Sequence, residues 1–409
     1  MSMAGPNLFK GIAVVIDNGI GTGEAIDTIL KNIRDGGGHP IELRALPDPN
    51  YDLEHFSRVS FFIMDWNLKN TEDDVPFDAG VTLPAGLNKE MVEENIAFLK
   101  RLSKNRHAPV FIFTNNEPEE VLGELSVDPE LLKDVKESHI LVMRKTEVTG
   151  KLYEVLEGWA SATPSVLTLK TWERNFEKAA NALFIDLYNK TPYWPVLLWQ
   201  TFNADGIPPE VEMNRLLNRL VEARMDPMVL DLAPFAATVE EQRKSNDQAY
   251  NQAMYQVLEG ERFLRNERLN EHLYAPGDVF AFPVPGQNRY TYWINVRAEC
   301  DCLRGGDDHE LYLLQAKPVE DVEKKINGQF GTIDAEKDNE AIVFAMFGGD
   351  TYSVLFKDMK IKKIKVIRKE YQRVGRLLPP FITRVQQRYA AYIQRPGMPR
   401  IPPSLYEVA

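Results

Sequence analysis

The sequence predicts a multidomain chain: a parallel α/β sheet first, an all-α module next, and a small β-barrel with a C-terminal helix last. Three observations carry this. The first 150 residues alternate short apolar runs with helical periods. Residues 151–270 hold helical stripes and few strand signals. Residues 271–409 hold short alternating runs between glycine turns, then a basic helix. The expected domains are therefore 1–150, 151–270 and 271–409.

The totals agree with several domains. The chain has 409 residues, more than one ordinary core organises. It is 44% hydrophobic and 26% charged, the balance of a globular protein. No apolar run approaches the roughly 18 residues of a membrane helix. The first residues, Met1 to Pro6, lack the basic start and apolar stretch of a signal peptide. With only Cys300 and Cys302, a disulfide framework is excluded, and the expected compartment is the reducing cytoplasm. Net charge is −12 but uneven. From Lys357 to Arg400 thirteen Lys and Arg face two acids, a local balance of +11 that leaves −23 elsewhere. General nucleic-acid binding is disfavoured; only the basic C-terminal segment admits it.

In order, Gly11 to Ile16 is a β-branched apolar run and predicts a buried strand ending at Asp17-Asn18. Gly19-Ile20-Gly21-Thr22-Gly23 follows. Ile26, Ile29, Leu30 and Ile33 form the stripe of a helix over 24–34, stopped by Gly36-Gly37-Gly38. Pro40 to Leu46 predicts a second strand and Leu53 to Val59 a short helix. Phe61-Phe62-Ile63-Met64 predicts a strand buried on both faces, and Asp65 ends it. Lys69 to Lys89 reads as an inserted loop and 90–102 as helix. Ala108 to Phe113 is a fourth strand ending at Thr114-Asn115-Asn116, 117–125 a helix, and Ile140 to Met143 a fifth strand ending at Arg144-Lys145.

Parallel strands place their carboxyl ends on one edge, where ligands of open α/β sheets collect. Asp17, Asp65, Thr114 and Lys145 all fall there. This ordered set resembles the receiver domain of two-component response regulators, over roughly residues 10–150. The resemblance implies a flavodoxin-like five-stranded sheet with Asp65 as phosphoacceptor, Thr114 as the hydroxyl that bonds the phosphoryl group, and Lys145 as the cation that neutralises it. It also implies Mg²⁺ held by Asp17, Asp65 and the backbone carbonyl of Asn67, hard oxygen ligands of the kind this ion prefers. A carboxylate is competent as a nucleophile forming an acyl phosphate. The family usually has two adjacent acids after strand one; here Asn18 takes the second place. The loop after Asp65 is also longer than usual. The bland alternative is a set of ordinary polar strand ends on an inactive sheet. A dinucleotide loop is a further alternative, but Gly19, Gly21 and Gly23 space as G-x-G-x-G and not G-x-G-x-x-G.

In the middle, Leu152, Val155, Leu156 and Trp159 make one stripe, and Phe176, Ala179, Ala180, Leu183, Phe184 and Leu187 another. Trp159, Trp172, Trp194 and Trp199 fall here and are expected mainly in the core, with a docking face as the alternative. In the last third, strands are expected near Pro276 to Phe280 and over 290–296, 311–315, 342–347, 352–356 and 361–367, as in a small SH3-like barrel. Cys300-Asp301-Cys302 is expected at a strand end; with His309 it is a weak zinc signal. Phe381, Val385, Tyr389 and Tyr392 form the packed face of a final helix, with Arg384, Arg388 and Arg395 on a solvated basic face.

A receiver joined to modules that do not bind DNA is similar to proteins of phage-defence two-component systems of the Detocs type. That resemblance implies a histidine kinase as donor, an effector receiver protein as further partner, and a role as relay or phosphate sink. No enzymatic activity is expected beyond self-phosphorylation and self-dephosphorylation. Membrane partners are not expected, and a homodimer is admitted. The competing readings are a phosphorylation-independent scaffold that binds protein or nucleic acid, and a nuclease-type effector in the last domain.

Overall fold

The computed structural model describes residues 8–22, 25–56, 58–68, 85–105, 108–128, 131, 140–245, 247–304, 306–326, 333, 336–344 and 347–396. The chain divides into two compact units, residues 1–185 with 221–235, and residues 186–220 with 236–409.

The first unit is built on a parallel sheet. Strands β1 (Ile12–Ile16) and β2 (His39–Leu43) flank helix α1 (Ala25–Asp35), and β3 (Val59–Met64) follows. Helix α2 (Ala85–Asn105), β4 (Val110–Thr114), α3 (Pro118–Leu125), β5 (Ile140–Arg144) and the short helix α4 (Lys145–Val148) complete it. The strand order is β2-β1-β3-β4-β5, and all pairs are parallel. In register, Ile16 lies beside Leu43 and Met64, and Met64 beside Ile112, so the carboxyl ends share one edge. This five-stranded parallel sheet with alternating helices is compatible with a flavodoxin-like receiver fold.

Alternation along each strand divides two cores. Val14, Ile16, Phe62, Met64, Val110 and Ile112 face Phe98, Leu99 and Leu102 of α2 and Val121 and Leu125 of α3. Ala13, Val15, Phe61, Ile63, Phe111 and Phe113 face Ile26, Ile29, Leu30 and Ile33 of α1. Leu152, Leu156 and Ala160 of α5 (Leu152–Ala162) join that second face. Burying each large apolar side chain is worth about 1.5–3 kcal/mol. That is why continuous apolar runs become central strands rather than half-exposed ones.

Two expectations change here. Only one turn of 3₁₀ helix, Leu53–His55, stands where a helix over 53–59 is expected, because Val59 already begins β3. Of the expected loop, residues 69–84 lie outside the described residues, while 85–89 are already the first turns of α2.

Helices α6 (Pro164–Tyr188), α7 (Trp194–Ala204), α8 (Pro209–Glu222), α9 (Ala236–Ser245) and α10 (Gln248–Arg262) form the expected helical region. The segment that returns to the first unit is held by α6. Asn175 donates to the Asp226 carbonyl at 3.2 Å, and Lys178 pairs with the Asp226 carboxylate at 2.5 Å. The tryptophans divide. Trp159 packs edge-on to Phe111 at 5.1 Å, as expected of core. Trp172 and Trp199 are instead exposed. The stripe marks which residues share a face, but not whether anything covers it.

The second unit carries a curled seven-stranded antiparallel sheet. Its strands are β6 (Phe263–Arg265), β7 (Asp278–Pro283), β8 (Tyr290–Asn295), β9 (Glu310–Pro318), β10 (Glu340–Val343), β11 (Tyr352–Lys363) and β12 (Gln372–Leu377). The order β10-β11-β9-β8-β7-β12-β6 leaves β10 and β6 as edges, so the sheet is a half-barrel and does not close. Helix α11 (Glu299–Leu303) holds both cysteines, placing them after a strand in a helical turn and not at the strand's end. Residues 361–367 divide: Lys363 ends β11, and α12 (Ile364–Glu370) begins at Ile364. Ile364 and Ile367 are both buried, and their spacing of three fits one helix face better than one strand face.

Helix α13 (Phe381–Gln394) packs Ile382 and Val385, with Phe381, Tyr389 and Tyr392 beside them, on one face of the sheet. Its basic face is not simply solvated. Arg384 pairs with Glu336, and Arg388 donates to the carbonyls of Glu340 at 3.1 Å and Lys337 at 3.0 Å. Arg395 lies over the Tyr392 ring, 4.0 Å from its centroid. These guanidiniums hold β10 and the turn before it, because fork-shaped donors satisfy several carbonyls at once.

Candidate functional site

Four strand ends meet at the carboxyl edge of the parallel sheet. Asp17 follows β1, and its backbone N–H donates to the Leu43 carbonyl at 2.9 Å. Its Oδ1 accepts the Gly19 N–H at 2.8 Å, which fixes the side chain in a tight local turn. Asp65 follows β3 and donates its N–H to the Ile16 carbonyl at 2.9 Å. The two carboxylates therefore come from neighbouring strands in register. Both are nearly inaccessible, at 1% for Asp17 and 5% for Asp65.

Lys145 opens α4 directly after β5. Its Nζ donates to Asp65 Oδ2 at 2.8 Å and lies 2.8 Å from Asp17 Oδ2. One buried ammonium thus neutralises part of a buried pair of acids. Asp17 Oδ2 is ion-paired with Lys145 but makes no aligned hydrogen bond. Burial pushes the Asp17 carboxyl above its ordinary range, and the charge of Asp65 adds to this; Lys145 only partly offsets both. Burial pulls Lys145 down, yet Asp65 and Asp17 together hold it above its ordinary range.

Thr114 ends β4 and is fully buried. Its Oγ1 accepts the Asn116 N–H at 3.0 Å. Asn67 donates its side-chain amide to Asn116 Oδ1 at 2.9 Å, so the segments after β3 and β4 are tied across the edge. Between Asp65 and Asn67, Trp66 is anchored twice. Its carbonyl accepts Asn95 Nδ2 at 2.7 Å, and its Nε1 donates to Glu124 Oε2 at 2.5 Å. Asn95, Asn116 and Glu124 were not singled out from the sequence. Asn95 had a signal: it interrupts the apolar stripe Met91, Phe98, Leu99 and Leu102 of α2, where a buried amide needs a partner.

The donor set suits a hard cation in kind. Asp17, Asp65 and the Asn67 carbonyl are oxygen ligands, and Mg²⁺ is ordinarily held by one or two carboxylates with several waters retained. Asp17 Oδ2, ion-paired but without an aligned hydrogen bond, is the atom that favours such a fit. Among the described residues no group of three or more His, Cys, Asp and Glu is arranged to hold a metal, so an ion here would rely on neutral oxygens for the rest of its shell. The same holds for Cys300, Cys302 and His309. Cys302 is buried, accepts a hydrogen bond from Asn295 at 3.3 Å, and has its thiol pushed up to about 11 by burial. It is a structural thiol.

Among the described residues of the glycine loop after β1, the N–H groups of Gly19 and Gly21 are already taken. The Gly19 N–H is bound to Asp17, and the Gly21 N–H donates to Asp27 Oδ1 at 2.8 Å. Gly23 lies outside the described residues. Among the described residues no helix is long and apolar enough to cross a membrane. Neither a family model nor a curated protein sequence matches the chain.

Proposed function

We propose that the first unit is a receiver-like phosphoacceptor, with Asp65 as the group that carries the phosphoryl. The observation that supports it most is the single buried ammonium of Lys145 between Asp65 and Asp17. An Asp65 carboxylate oxygen attacks the phosphorus of a donor phosphohistidine. The P–O bond forms, the P–N bond breaks, and the electron pair leaves with the imidazole. Lys145 is placed to offset charge on the phosphoryl oxygens. Thr114, whose oxygen accepts the Asn116 N–H, keeps its O–H to donate to a phosphoryl oxygen. Mg²⁺, when bound through Asp17, Asp65 and the Asn67 carbonyl, supplies further charge neutralisation. Water attack at phosphorus returns the free carboxylate. In this reading the protein is a relay or phosphate sink served by a histidine kinase, beside an effector receiver protein, in a bacterial two-component system of the anti-phage kind.

The test is intact mass after incubation with Mg²⁺ and acetyl phosphate, and separately with a phosphorylated histidine kinase, for wild type and Asp65→Asn. Gain of one phosphoryl group in wild type alone is expected. No gain with either donor overturns the reading.

A second reading is a phosphorylation-independent scaffold. Asn18, where a second acid would stand, favours it. Under it, Asp65→Asn leaves partner binding unchanged.

A further inference from the structure

Helix α7 combines two properties that do not normally coexist in a monomer. Over eleven residues, Trp194-Pro-Val-Leu-Leu-Trp-Gln-Thr-Phe-Asn-Ala204, it carries no charge, and none of its residues is buried. A helix this apolar is ordinarily an interior helix. It is also well defined. A proline lies in its first turn. At its end Gly206 takes φ +68°, and the Ile207 N–H reaches back to the Phe202 carbonyl at 3.0 Å, which satisfies a terminal acceptor. Trp194, Pro195, Leu198 and Phe202 are half-buried along one side. The other side presents Tyr193, Val196, Leu197 and Trp199, with Tyr188 before the turn.

We infer that this face is where a second copy of the chain packs, by an isologous helix-to-helix contact. Three arguments select that occupant. The first is charge. The chain carries −12 overall, yet from Thr191 to Pro209 the sequence holds one charged residue, Asp205. An uncharged apolar patch is complementary to itself under a two-fold axis and leaves no buried ion unpaired. The second is area. Tyr188 and Tyr193 are 82% and 73% exposed, Leu197 65%, Val196 53% and Trp199 44%. At about 150–250 Å² for a whole aromatic side chain, these five present about 600 Å², close to the ~800 Å² per partner of a standard interface. The third is chemistry that rules out other surfaces. Nucleic acid needs cations for its phosphates, and an interfacial membrane helix is ordinarily rich in Lys and Arg on its polar face; 191–209 has none.

The experiment is sedimentation equilibrium of the full chain, without phosphodonor, for wild type, Val196→Glu and Leu197→Glu. Both side chains are exposed, so unchanged circular dichroism and melting are expected in the variants. Wild type is expected at twice the chain mass, and each variant at the chain mass, with association weakened at least about 100-fold. In a Cys300→Ser background, Leu197→Cys is expected to give one symmetric product with a short bis-maleimide. Three outcomes overturn the inference: a wild type that stays monomeric at about 100 μM, a dimer whose affinity both variants leave unchanged, and a monomer that sediments with neutral vesicles through Leu197.

Discussion

Asp65 and Lys145 stand eighty positions apart in sequence and are joined by a 2.8 Å charge-assisted hydrogen bond with almost no solvent access. The same ammonium lies as close to Asp17. A buried ion group of this kind is most sensitive to the loss of its one cation, because the two acids are then left buried and uncompensated.

Lys145→Met is therefore expected to destabilise the first unit by about 3–5 kcal/mol, since it leaves two carboxylates facing each other. Chemical denaturation checks this. In the variant, added Mg²⁺ is expected to raise the melting temperature more than in wild type, by restoring a cation between the acids. Equal shifts in the two proteins would remove the case for Asp17 and Asp65 as joint ligands.

The pH dependence has a definite sign. The folded-state pKa of Lys145 is raised above 10.5, so its contribution is complete below that value and is lost as pH rises through the folded one. Wild type is expected to lose stability more steeply than Lys145→Met as pH rises above 10.5, read as the difference of urea midpoints. Asp17 is raised above 3.8, so its ionised form opposes folding at neutral pH, and that penalty disappears as pH falls through the folded value toward 3.8. Asp17→Asn is expected to stabilise at neutral pH and to lose that advantage in acid.

The thiols are expected to behave oppositely. Cys300 is exposed and Cys302 is buried with its thiol near 11. A disulfide reagent near neutral pH should titrate one thiol in the native chain and two in urea. Two fast thiols would mean that α11 does not hold Cys302 as described.

Asp278 ties the half-barrel. It is fully buried, accepts from Arg376 at 2.6 Å and from the Ala275 N–H at 2.9 Å, and has Arg373 at 3.7 Å. Asp278→Ala is expected to cost about 3–5 kcal/mol in urea unfolding, by stranding two guanidiniums. An unchanged midpoint would show that water replaces the carboxylate without penalty.

The parallel sheet was legible because continuous apolar runs such as Phe61 to Met64 suit only strands covered on both faces. That also made Asp17, Asp65 and Lys145 visible together, since parallel strands end on one edge. The partners of Trp66 were not legible. Asn95 and Glu124 reach it from two helices, and the phase of a helix against a sheet is decided by packing over a whole face. Strand β6 has three residues, too short for a period to register. Residues 361–367 satisfied both strand and helix patterns, and the burial of Ile364 with Ile367 decided between them. The arginines of α13 read as a solvated face because their acceptors, Glu336 and the carbonyls of Lys337 and Glu340, lie some fifty residues away along the chain.

The grip of Asn175 and Lys178 on Asp226 bears on how the molecule is made. A ribosome delivers residue 185 and then thirty-five residues of the second unit before the returning segment 221–235 appears. At roughly 5–20 residues per second, the nascent first unit waits several seconds for its last piece. During that wait the partners of Asp226 on α6 are already in place and unfilled. Completion of the first unit is thereby coupled to synthesis of the second, and a gene truncated after codon 185 would yield a first unit without the segment that Asn175 and Lys178 hold.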